Sequence, residues 1–305
     1  MAKKILAVFF TQSGQTKQIL DNFLAPIIAD GNEVEYLQIK TVHQFPFPWS
    51  VPVFFDTVPE SVKVIPTALQ EWQTQQTRYD LVVLGWQPWN LSPSIPFNSI
   101  LQDEKFKAII KDTPVITLCG CRNMWINAQE KNKRLLNNAE AKLVGNIALV
   151  DRHLNHLSYF TIFHWLGTGT KTRKWGIFPL PGVSDVDIAG VSTFGITVNK
   201  YLKNNNWDGM QAELSAQKAA PVKYSLMFIE RKAGKIFQKW VNIIDRNPKK
   251  RKSILVAYKY YLAIALLVAS PLILLVDSIL FRPFSQKKIK RQMDYYRGVD
   301  YREKI

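Results

Sequence analysis

The stretch that decides the fold is Ile5-Leu-Ala-Val-Phe-Phe-Thr-Gln-Ser-Gly-Gln-Thr16, close to the start of the printed sequence. Its first half, from Ile5 to Phe10, is a continuous apolar run with the length of a fully buried strand. Its second half carries hydroxyl groups and a glycine but no charge. After Thr16, apolar residues recur at steps of three and four, which predicts an amphipathic helix over 16–29. The stretch therefore predicts a strand, a short polar loop and a helix in succession.

The polar loop has the composition of an anion-binding turn. Backbone amides of the loop and the helix N-terminus can point at a phosphate, hydroxyls add donors, and glycine lets the backbone approach. The loop has no G-x-x-x-x-G-K-[ST] pattern of nucleotide triphosphatases and no G-x-G-x-x-G pattern of dinucleotide folds. The alternative is an ordinary β–α turn rich in hydroxyls. We predict a phosphate seat formed by Thr11, Gln12, Ser13, Gly14, Gln15 and Thr16.

Further apolar runs alternate with helical patterns, as in an α/β protein. We predict five strands, at 5–10, 33–39, 80–85, 114–119 and 141–150. The intervening segments predict helices at 16–29, 64–77, 95–111 and 126–139. Strands and helices in this alternation form a doubly wound parallel sheet. The segment 45–52, rich in proline and aromatic residues, is incompatible with a helix and predicts a wall or lid over a site.

Three predicted loops leave the carboxyl ends of strands, at 11–16, 86–96 and 119–125. Ligands of doubly wound sheets bind beyond those strand ends, so we expect the three loops to converge on one site. The second loop offers Trp86 or Trp89 for stacking on a flat ligand, with core packing as the alternative for each ring. The third loop offers Arg122, which can stabilise a developing negative charge or form a surface salt bridge.

Candidate nucleophiles and proton carriers are few. The chain has two cysteines, Cys119 and Cys121, which are too close for an easy disulfide and lack a second pair for zinc. Cys119 ends a predicted buried strand and is interpreted as structural, whereas Cys121 on the rim is a candidate nucleophile. His153 and His156 follow the last strand, and we predict that one of them transfers a proton. The alternative is a pair of helix-face histidines bonded to a carbonyl, and no metal site is predicted.

The formal net charge of +16 favours an anionic partner. From Tyr260 to Val276 the chain is uncharged, and this run covers about 25 Å as a helix against a hydrocarbon core of about 30 Å. Basic clusters at 249–252 and 287–291 flank the run, so the positive-inside rule gives no orientation. A single span and a hairpin centred on Pro271 both stay open, and the predicted partner is an anionic membrane surface. No nucleic-acid-binding motif is present, and nucleic acid is not a predicted partner.

The sequence divides into three predicted parts. Residues 1–205 form the α/β domain, 206–253 a basic amphipathic connector, and 254–305 a membrane-anchoring helix or hairpin with a basic tail. The scarcity of cysteine fits a reducing compartment. We therefore expect the protein at the cytoplasmic face of the inner membrane, anchored through its C-terminal segment.

The three rim loops resemble those of flavodoxins, over about residues 3–150. The loop 11–16 resembles the T-x-S-G-x-T loop that holds the phosphate of FMN in that family. Gly85-Trp-Gln-Pro-Trp-Asn90 is similar to the Gly-x-Pro-aromatic loop against the flavin ring, with one additional residue, and Gly120-Cys-Arg-Asn-Met-Trp125 lies where the second ring contact is made. The resemblance implies a flavodoxin-like fold with FMN as cofactor. It also implies ring contacts by Gln87, Pro88, Trp89, Asn90, Gly120, Cys121 and Asn123.

A closer resemblance covers nearly the whole chain. The blocks that carry it, together with the hydrophobic tail, are Phe45–Trp49, Leu91–Pro96, Gly120–Trp125, Gly145–His153 and Gly176–Asp185. They resemble bacterial proteins labelled dialkylresorcinol-condensing enzyme, which accompany a ketosynthase in dialkylresorcinol and flexirubin biosynthesis. That family is taken to act as the aromatase that oxidises a 2,5-dialkylcyclohexane-1,3-dione to a dialkylresorcinol. The resemblance implies a lipid-like dialkyl substrate, with the pathway ketosynthase as a candidate partner.

The chemistry of aromatisation agrees with a flavin site. Removing two hydrogens needs an electron acceptor, whereas a condensation needs an acyl-carrying nucleophile and no flavin. We predict that His153 or His156 removes a proton, Arg122 steadies the enolate and a hydride passes to FMN. The electrons then leave to oxygen, a quinone or a nicotinamide, so NAD(P)H is a candidate electron partner. Three alternatives stay open: an NAD(P)H-dependent flavin or quinone oxidoreductase, a membrane-tethered flavodoxin-like electron carrier, and a true condensing enzyme acylated at Cys121.

Overall fold

A computed structural model describes residues 2–302 of the chain. Its strands are β1 (Lys4–Phe9), β2 (Glu33–Gln38), β3 (Leu81–Trp86), β4 (Pro88–Trp89), β5 (Ser92–Pro93), β6 (Pro114–Cys121) and β7 (Lys142–Val150). Five of them form one parallel sheet in the order β2-β1-β3-β6-β7, while β4 and β5 pair as a small antiparallel hairpin. This is the order of a flavodoxin-like doubly wound sheet, so the predicted fold class is confirmed.

Helices cover both faces of the sheet and continue beyond it. They are α1 (Gln15–Ala29), α2 (Val51–Asp56), α3 (Val58–Lys63), α4 (Ile95–Gln102), α5 (Glu104–Ile110), α6 (Ile126–Asn138), α7 (Asn155–Thr168), α8 (Asp185–Gly190), α9 (Ser192–Asn204), α10 (Met210–Ala216), α11 (Tyr224–Arg246), α12 (Arg251–Ile264), α13 (Ser270–Leu280) and α14 (Gln286–Arg297). One apolar core joins the sheet to α1, α9 and α10, and a second joins its other face to α4, α5 and α6. Strand β1 lies inside the sheet, between β2 and β3, and both of its faces are buried, which explains its uninterrupted apolar sequence.

The predicted helix at 64–77 is wrong. Helix α3 ends at Lys63, because Val64 adopts a left-handed conformation with φ of 58°. The chain then runs extended, and Leu69 forms an isolated antiparallel bridge with Thr41. Pro66 lies in this segment and lacks the amide hydrogen that a helix interior needs. The helices of this region lie earlier, at α2 and α3.

The predicted helix at 95–111 is two helices that meet at Asp103. The Asp103 carboxylate accepts a hydrogen bond from the amide of Phe106 at 3.0 Å and so begins α5. In the proline-rich segment, α2 begins at Val51 with Pro52 in its first turn, where a missing amide hydrogen costs nothing. These differences arise because caps and turns decide where a helix ends, whereas the apolar period continues across them.

Near the C-terminus, α12 and α13 are joined by a π-helical turn, Ala265–Ala269, into one continuous helix that spans Pro248–Leu280. We call it the C-terminal helix. Within the described residues it is the one helix long and apolar enough to cross a membrane. The alternative of a hairpin centred on Pro271 is wrong, because Pro271 lies in the first turn of α13 and the helix runs through it.

The close packing of α1 against α9 depends on Gly195. A Cβ at Gly195 would lie 2.0 Å from the carbonyl oxygen of Phe23 and 2.8 Å from Cγ of Pro26. We expect Gly195→Ala to lower the free energy of unfolding by about 2 kcal/mol, since α9 must move away from α1. Urea denaturation followed by circular dichroism measures this loss.

The matched control is Gly190→Ala at the end of α8. A Cβ there meets no heavy atom within 4 Å, so we expect a change within about 0.5 kcal/mol. Equal effects of the two alanine substitutions would contradict the observed packing of α1 on α9.

Candidate functional site

A cavity of about 280 Å³ lies beyond the carboxyl ends of β1, β3 and β6. The three predicted rim loops supply its polar side, as expected for a doubly wound sheet. The residues of these loops that line it are Gln12, Ser13, Gln15, Thr16, Gln87, Pro88, Trp89, Asn90, Leu91, Gly120, Cys121, Arg122 and Met124. The structure thus brings most of the predicted site residues together at one cavity.

The loop between β1 and α1 has the features of a phosphate seat. Gly14 precedes α1 with φ of 85°, a left-handed conformation that glycine adopts readily. No side chain caps the N-terminus of α1 at this position. The Thr11 hydroxyl is buried without a hydrogen-bond partner among the described residues. A Cβ at Gly14 would meet no heavy atom within 4 Å, which leaves room beside the backbone. Uncapped helix amides and an orphaned hydroxyl fit an anion at this position.

Two glutamine side chains hold the loop in place. The Gln15 amide donates to the Val183 carbonyl at 3.2 Å and accepts from the Val183 amide at 3.1 Å. Gln87 donates to the Gln12 side chain at 3.4 Å, so the first two rim loops are bonded to each other. The Gln15 side chain is therefore engaged in positioning, and the group that it offers to a ligand is its backbone amide.

Trp89 lies on the aromatic wall of the cavity, which Phe47, Trp49, Phe54 and Trp165 also line. Its ring packs against Trp49, with centroids 4.7 Å apart, and against Phe45 at 5.1 Å. Trp86 instead lies fully buried against Phe97 in the core, so only one of the two candidate tryptophans reaches the cavity. The two rings belong to different elements, because Trp86 is the last residue of β3 and Trp89 lies in the β4–β5 hairpin that follows.

Arg122 is held at the cavity by α7. Its guanidinium donates to the Asn155 carbonyl at 3.1 Å and to the Ser158 hydroxyl at 3.4 Å. Burial lowers the pKa of Arg122 to about 10, against the opposing effects of Asp151 and Tyr159, so it stays a cation at neutral pH. No ion pair to Arg122 occurs among residues 2–302. Hydrogen bonds from α7, and not the alternative of a surface salt bridge, therefore hold the guanidinium.

Several predicted site residues lie away from the cavity surface. Asn123 donates to the Asn155 side chain at 2.8 Å, and Thr11 and Gly14 shape the loop without lining the cavity. His153 contacts the Asp151 carboxylate through Nδ1 at 2.6 Å, and the Nε2 of His156 lies 3.2 Å from the carbonyl of Leu266. Neither histidine lines the cavity.

The two cysteines differ in position. Cys119 is fully buried in β6, and burial together with the neighbouring Cys121 raises the pKa of its thiol. Cys121 ends the strand and lines the cavity. Within the part of the chain that the structure describes, no cluster of three or more His, Cys, Asp or Glu side chains is arranged to hold a metal.

The other side of the cavity is apolar and comes from helices that the sequence did not assign to the site. Helices α7, α11 and the C-terminal helix contribute Tyr159, Ile162, Phe163, Ile229, Ala233, Ile236, Phe237, Tyr261, Leu262, Ala265 and Leu266. Within each helix these residues recur three or four positions apart, some as adjacent pairs, and this periodicity is the sequence signal for a common face. That the three faces meet over the rim loops depends on tertiary packing.

A buried carboxyl supports the third rim loop from α11. Glu230 is 1% exposed, and its Oε1 accepts from the Asn127 amide at 2.8 Å in the first turn of α6. Burial raises the pKa of Glu230 to about 8, although the amides of α6 and the charge of Arg122 act in the opposite direction. The carboxyl therefore fixes the start of α6, directly after the loop that carries Arg122.

No protein-family model and no curated protein matches the chain. The chain is similar to a flavoprotein from Lactobacillus acidophilus solved in complex with FMN, at 15% identity over 48% of this chain and 93% of that chain, with a TM-score of 0.38. It is also similar to an archaeal flavodoxin, at 12% identity over 66% and 99% of the two chains with a TM-score of 0.36, and to flavodoxin 2 of Bacillus cereus, at 17% identity over 63% and 95% with a TM-score of 0.33.

The raised pKa of Glu230 predicts a pH-dependent stability. An unfolded glutamate has a pKa of about 4.3, so between about pH 5 and pH 8 the folded protein holds a proton that the unfolded chain releases. The free energy of unfolding should therefore fall as pH rises through this window. Glu230→Gln should flatten that fall, as urea denaturation across the window measures.

Glu104→Gln is the control, because the Glu104 side chain is 86% exposed in its ion pair with Lys107. We expect it to retain the pH dependence of the wild-type protein. A wild-type stability that does not fall between about pH 5 and pH 8 would overturn the assignment of a neutral Glu230.

Proposed function

We propose that this protein is an FMN-dependent oxidoreductase that acts as an aromatase and converts a 2,5-dialkylcyclohexane-1,3-dione to a dialkylresorcinol. The observation that carries the proposal is the two-sided cavity. One side offers a phosphate seat, an aromatic wall and a buried cation, and the other is an apolar chamber formed by three helices. A flat anionic cofactor suits the first side and aliphatic chains suit the second.

The residues present fit FMN. The loop Gln12–Thr16 with the first amides of α1 would hold the phosphate, and Trp89 and Gly120 would flank the ring. The unpartnered Thr11 hydroxyl and the open space beside Gly14 are the features that a bound phosphate explains. When bound, FMN supplies a two-electron acceptor for a hydride.

Side chains at the cavity can stabilise the negative charge that the reaction creates. Aromatisation removes one proton and one hydride from the ring and leaves two phenol oxygens, so negative charge develops on a carbonyl oxygen. Arg122 is a cation on the cavity wall and can stabilise that oxygen. Burial raises the pKa of Tyr159, which keeps its phenol protonated as a second donor.

His153 or His156 is proposed to receive the proton. His156 lies on α7 one turn before Tyr159, on the same helical face, and contacts the carbonyl of Leu266. His153 is oriented by the Asp151 carboxylate, which contacts its Nδ1 at 2.6 Å. Both lie at the start of the helix that also holds Arg122.

The need for an electron acceptor favours oxidation over condensation at this cavity, because a flavin supplies one and a condensation does not use it. Cys121 lines the cavity beside Arg122 and is the candidate nucleophile of the alternative condensing enzyme. Two further proposals concern partners: the pathway ketosynthase, and an anionic membrane surface at the cytoplasmic face of the inner membrane.

A second candidate function, an NAD(P)H-dependent quinone oxidoreductase, is supported by a basic cavity of about 670 Å³. It shares Asn90 and Leu91 with the first cavity. Its cations include Lys131, Arg134 and Arg231, none of which forms an ion pair among residues 2–302, and burial lowers the pKa of Lys131 to about 8. Such a group of cations suits dinucleotide phosphates. Steady-state NADPH oxidation by the FMN-loaded protein, without a dione, separates this function from the aromatase.

The phosphate seat is tested by Ser13→Asp, which places a carboxylate against the phosphate of FMN. We expect FMN affinity to fall about 10- to 100-fold, since two anions are brought close together. Titration of flavin fluorescence measures the affinity, and the flavin absorbance of the purified protein shows whether it carries FMN.

Ala25→Asp is the matched control, because it adds the same charge on an exposed position of α1 away from the loop. Its FMN affinity should equal that of the wild-type protein. If Ser13→Asp also keeps wild-type affinity, the phosphate does not bind at this loop.

The role of Arg122 is tested by turnover of a dialkylcyclohexanedione with FMN-loaded protein. Arg122→Gln should lower kcat about 100- to 1,000-fold, since it removes the cation at the developing oxyanion. His164→Gln is the control, because His164 is bonded to Thr172 outside the cavity. His153→Gln and His156→Gln are compared in the same assay. The variant with the lowered kcat identifies the proton acceptor. An Arg122→Gln variant with unchanged kcat contradicts the assigned role.

The apolar chamber is tested by Ala233→Phe, which adds a ring inside it. We expect KM for a long-chain dione to rise about tenfold or more, since methylene groups lose their burial, while FMN affinity is retained. Ala257→Phe adds the same ring to an exposed position of the C-terminal helix and should leave KM unchanged. An unchanged KM in Ala233→Phe would exclude the chamber as the chain site.

A further inference from the structure

The C-terminal helix has two opposite faces of different character. Its inner face is buried against the domain, through Leu255, Tyr258, Leu266, Ser270 and Asp277. Its outer face is an apolar stripe in which every side chain is more than half exposed: Val256, Tyr260, Ile264, Val268, Leu272, Leu275 and Ile279. These seven residues follow one another at steps of three and four, so they form one continuous strip along the helix.

The outer stripe is uncharged, and its two ends are strongly basic. Asp277, the one acid between residues 252 and 281, is 4% exposed and points inward. Exposed cations flank the stripe on both sides: Lys249, Lys250, Lys252, Lys287, Lys288, Lys290 and Arg291. An apolar strip between clusters of cations matches the lipid–water boundary of an anionic bilayer.

Both ends of the C-terminal helix are bonded to the same domain by polar contacts. At its start, Arg251 forms ion pairs with Glu60 at 2.8 Å and Asp56 at 2.9 Å. Near its end, the Tyr224 hydroxyl donates to the buried Asp277 carboxylate at 2.8 Å. These two attachments are about 39 Å apart along the helix, which exceeds the thickness of a hydrocarbon core.

We infer that the C-terminal helix lies in the plane of an anionic membrane surface, with its outer stripe in lipid and its inner face on the domain. A spanning orientation would carry either Arg251 with Glu60 or Asp277 with Tyr224 across the hydrocarbon, and the domain would follow. Burying such groups in lipid is costly, whereas the in-plane orientation keeps them in the protein and keeps both basic clusters on one side.

A second copy of the chain is a poorer occupant of the stripe. Two such helices facing each other would bring basic ends together in either a parallel or an antiparallel arrangement. Like charges at that distance repel, and the described outer face offers no acid to compensate. Anionic lipid headgroups instead neutralise both clusters.

The inner face of the same helix closes the apolar chamber, through Tyr261, Leu262, Ala265 and Leu266. The outer residues Ile264 and Val268 alternate with these, so a single helix separates the chamber from the proposed lipid. A π-helical turn lies at this point, and such turns loosen the regular hydrogen bonding. Direct entry of an aliphatic substrate from lipid rests on the proposed function, whereas the membrane orientation does not.

The orientation is tested first by sedimentation with vesicles. The full-length protein should bind vesicles containing phosphatidylglycerol, and binding should weaken with added salt and on pure phosphatidylcholine. The double variant Ile264→Gln/Val268→Gln should lose about tenfold or more of the binding. Val42→Gln, at a 63% exposed valine outside the helix, is the control and should bind as the wild-type protein does.

A second experiment distinguishes an in-plane helix from a spanning one. Single variants Lys252→Cys and Lys287→Cys place a thiol beyond each end of the stripe, and the native Cys119 and Cys121 are buried. Protein bound to sealed vesicles is treated from outside with a membrane-impermeant maleimide. We expect both new thiols to be labelled.

Protection of one thiol would show a spanning helix and overturn the inference. Failure of the wild-type protein to bind anionic vesicles, or equal binding by the double glutamine variant, would also overturn it. These readouts need neither FMN nor a substrate. A protein that binds membranes but does not bind flavin would therefore contradict the proposed function alone. A protein that turns over substrate with flavin but does not bind membranes would contradict this inference alone.

Discussion

The carboxyl ends of parallel strands meet at one edge of a sheet, and the whole site depends on that constraint. Strand β1 lies inside the sheet, and the loop that follows it, with Gly14 left-handed at the start of α1, places uncapped amides at this edge. The loops after β3 and β6 must reach the same edge, because β3 pairs parallel with β1 and β6 pairs parallel with β3. Trp89 and Arg122 therefore lie around one cavity, although they are distant in sequence.

The helices after the sheet add the apolar side of the cavity at this edge. Helix α7 bonds Arg122 through the Asn155 carbonyl, and α11 fixes the start of α6 through Glu230. The same helices present apolar faces to the cavity, and the C-terminal helix closes it. One set of contacts thus orients the polar groups and also builds the apolar chamber. This coupling joins the proposed flavin site to the proposed lipid-facing helix in one folded unit.

Sequence patterns were sufficient for the strands, because burial on both sheet faces leaves long apolar runs. They were insufficient at 64–77, where the apolar spacing suits a helix but the chain extends to form a bridge between Leu69 and Thr41. They also could not choose between Trp86 and Trp89, since local composition does not mark that β3 ends at Trp86 and that a separate hairpin strand holds Trp89. The histidines illustrate the same problem, because proximity to a strand end does not specify which way a side chain points.

The sequence by itself determined the parallel sheet, the polar loop at 11–16 and the uncharged run near the C-terminus. Each of these follows from local composition and period, which are written directly in the order of residues. Tertiary structure alone decided that α7, α11 and the C-terminal helix meet over the rim loops, and which face of the C-terminal helix is covered. Those features depend on contacts between segments far apart in the chain, such as Asp277 with Tyr224 and Arg251 with Glu60. No local pattern records such partners, because neither side chain of a pair specifies which distant residue it contacts.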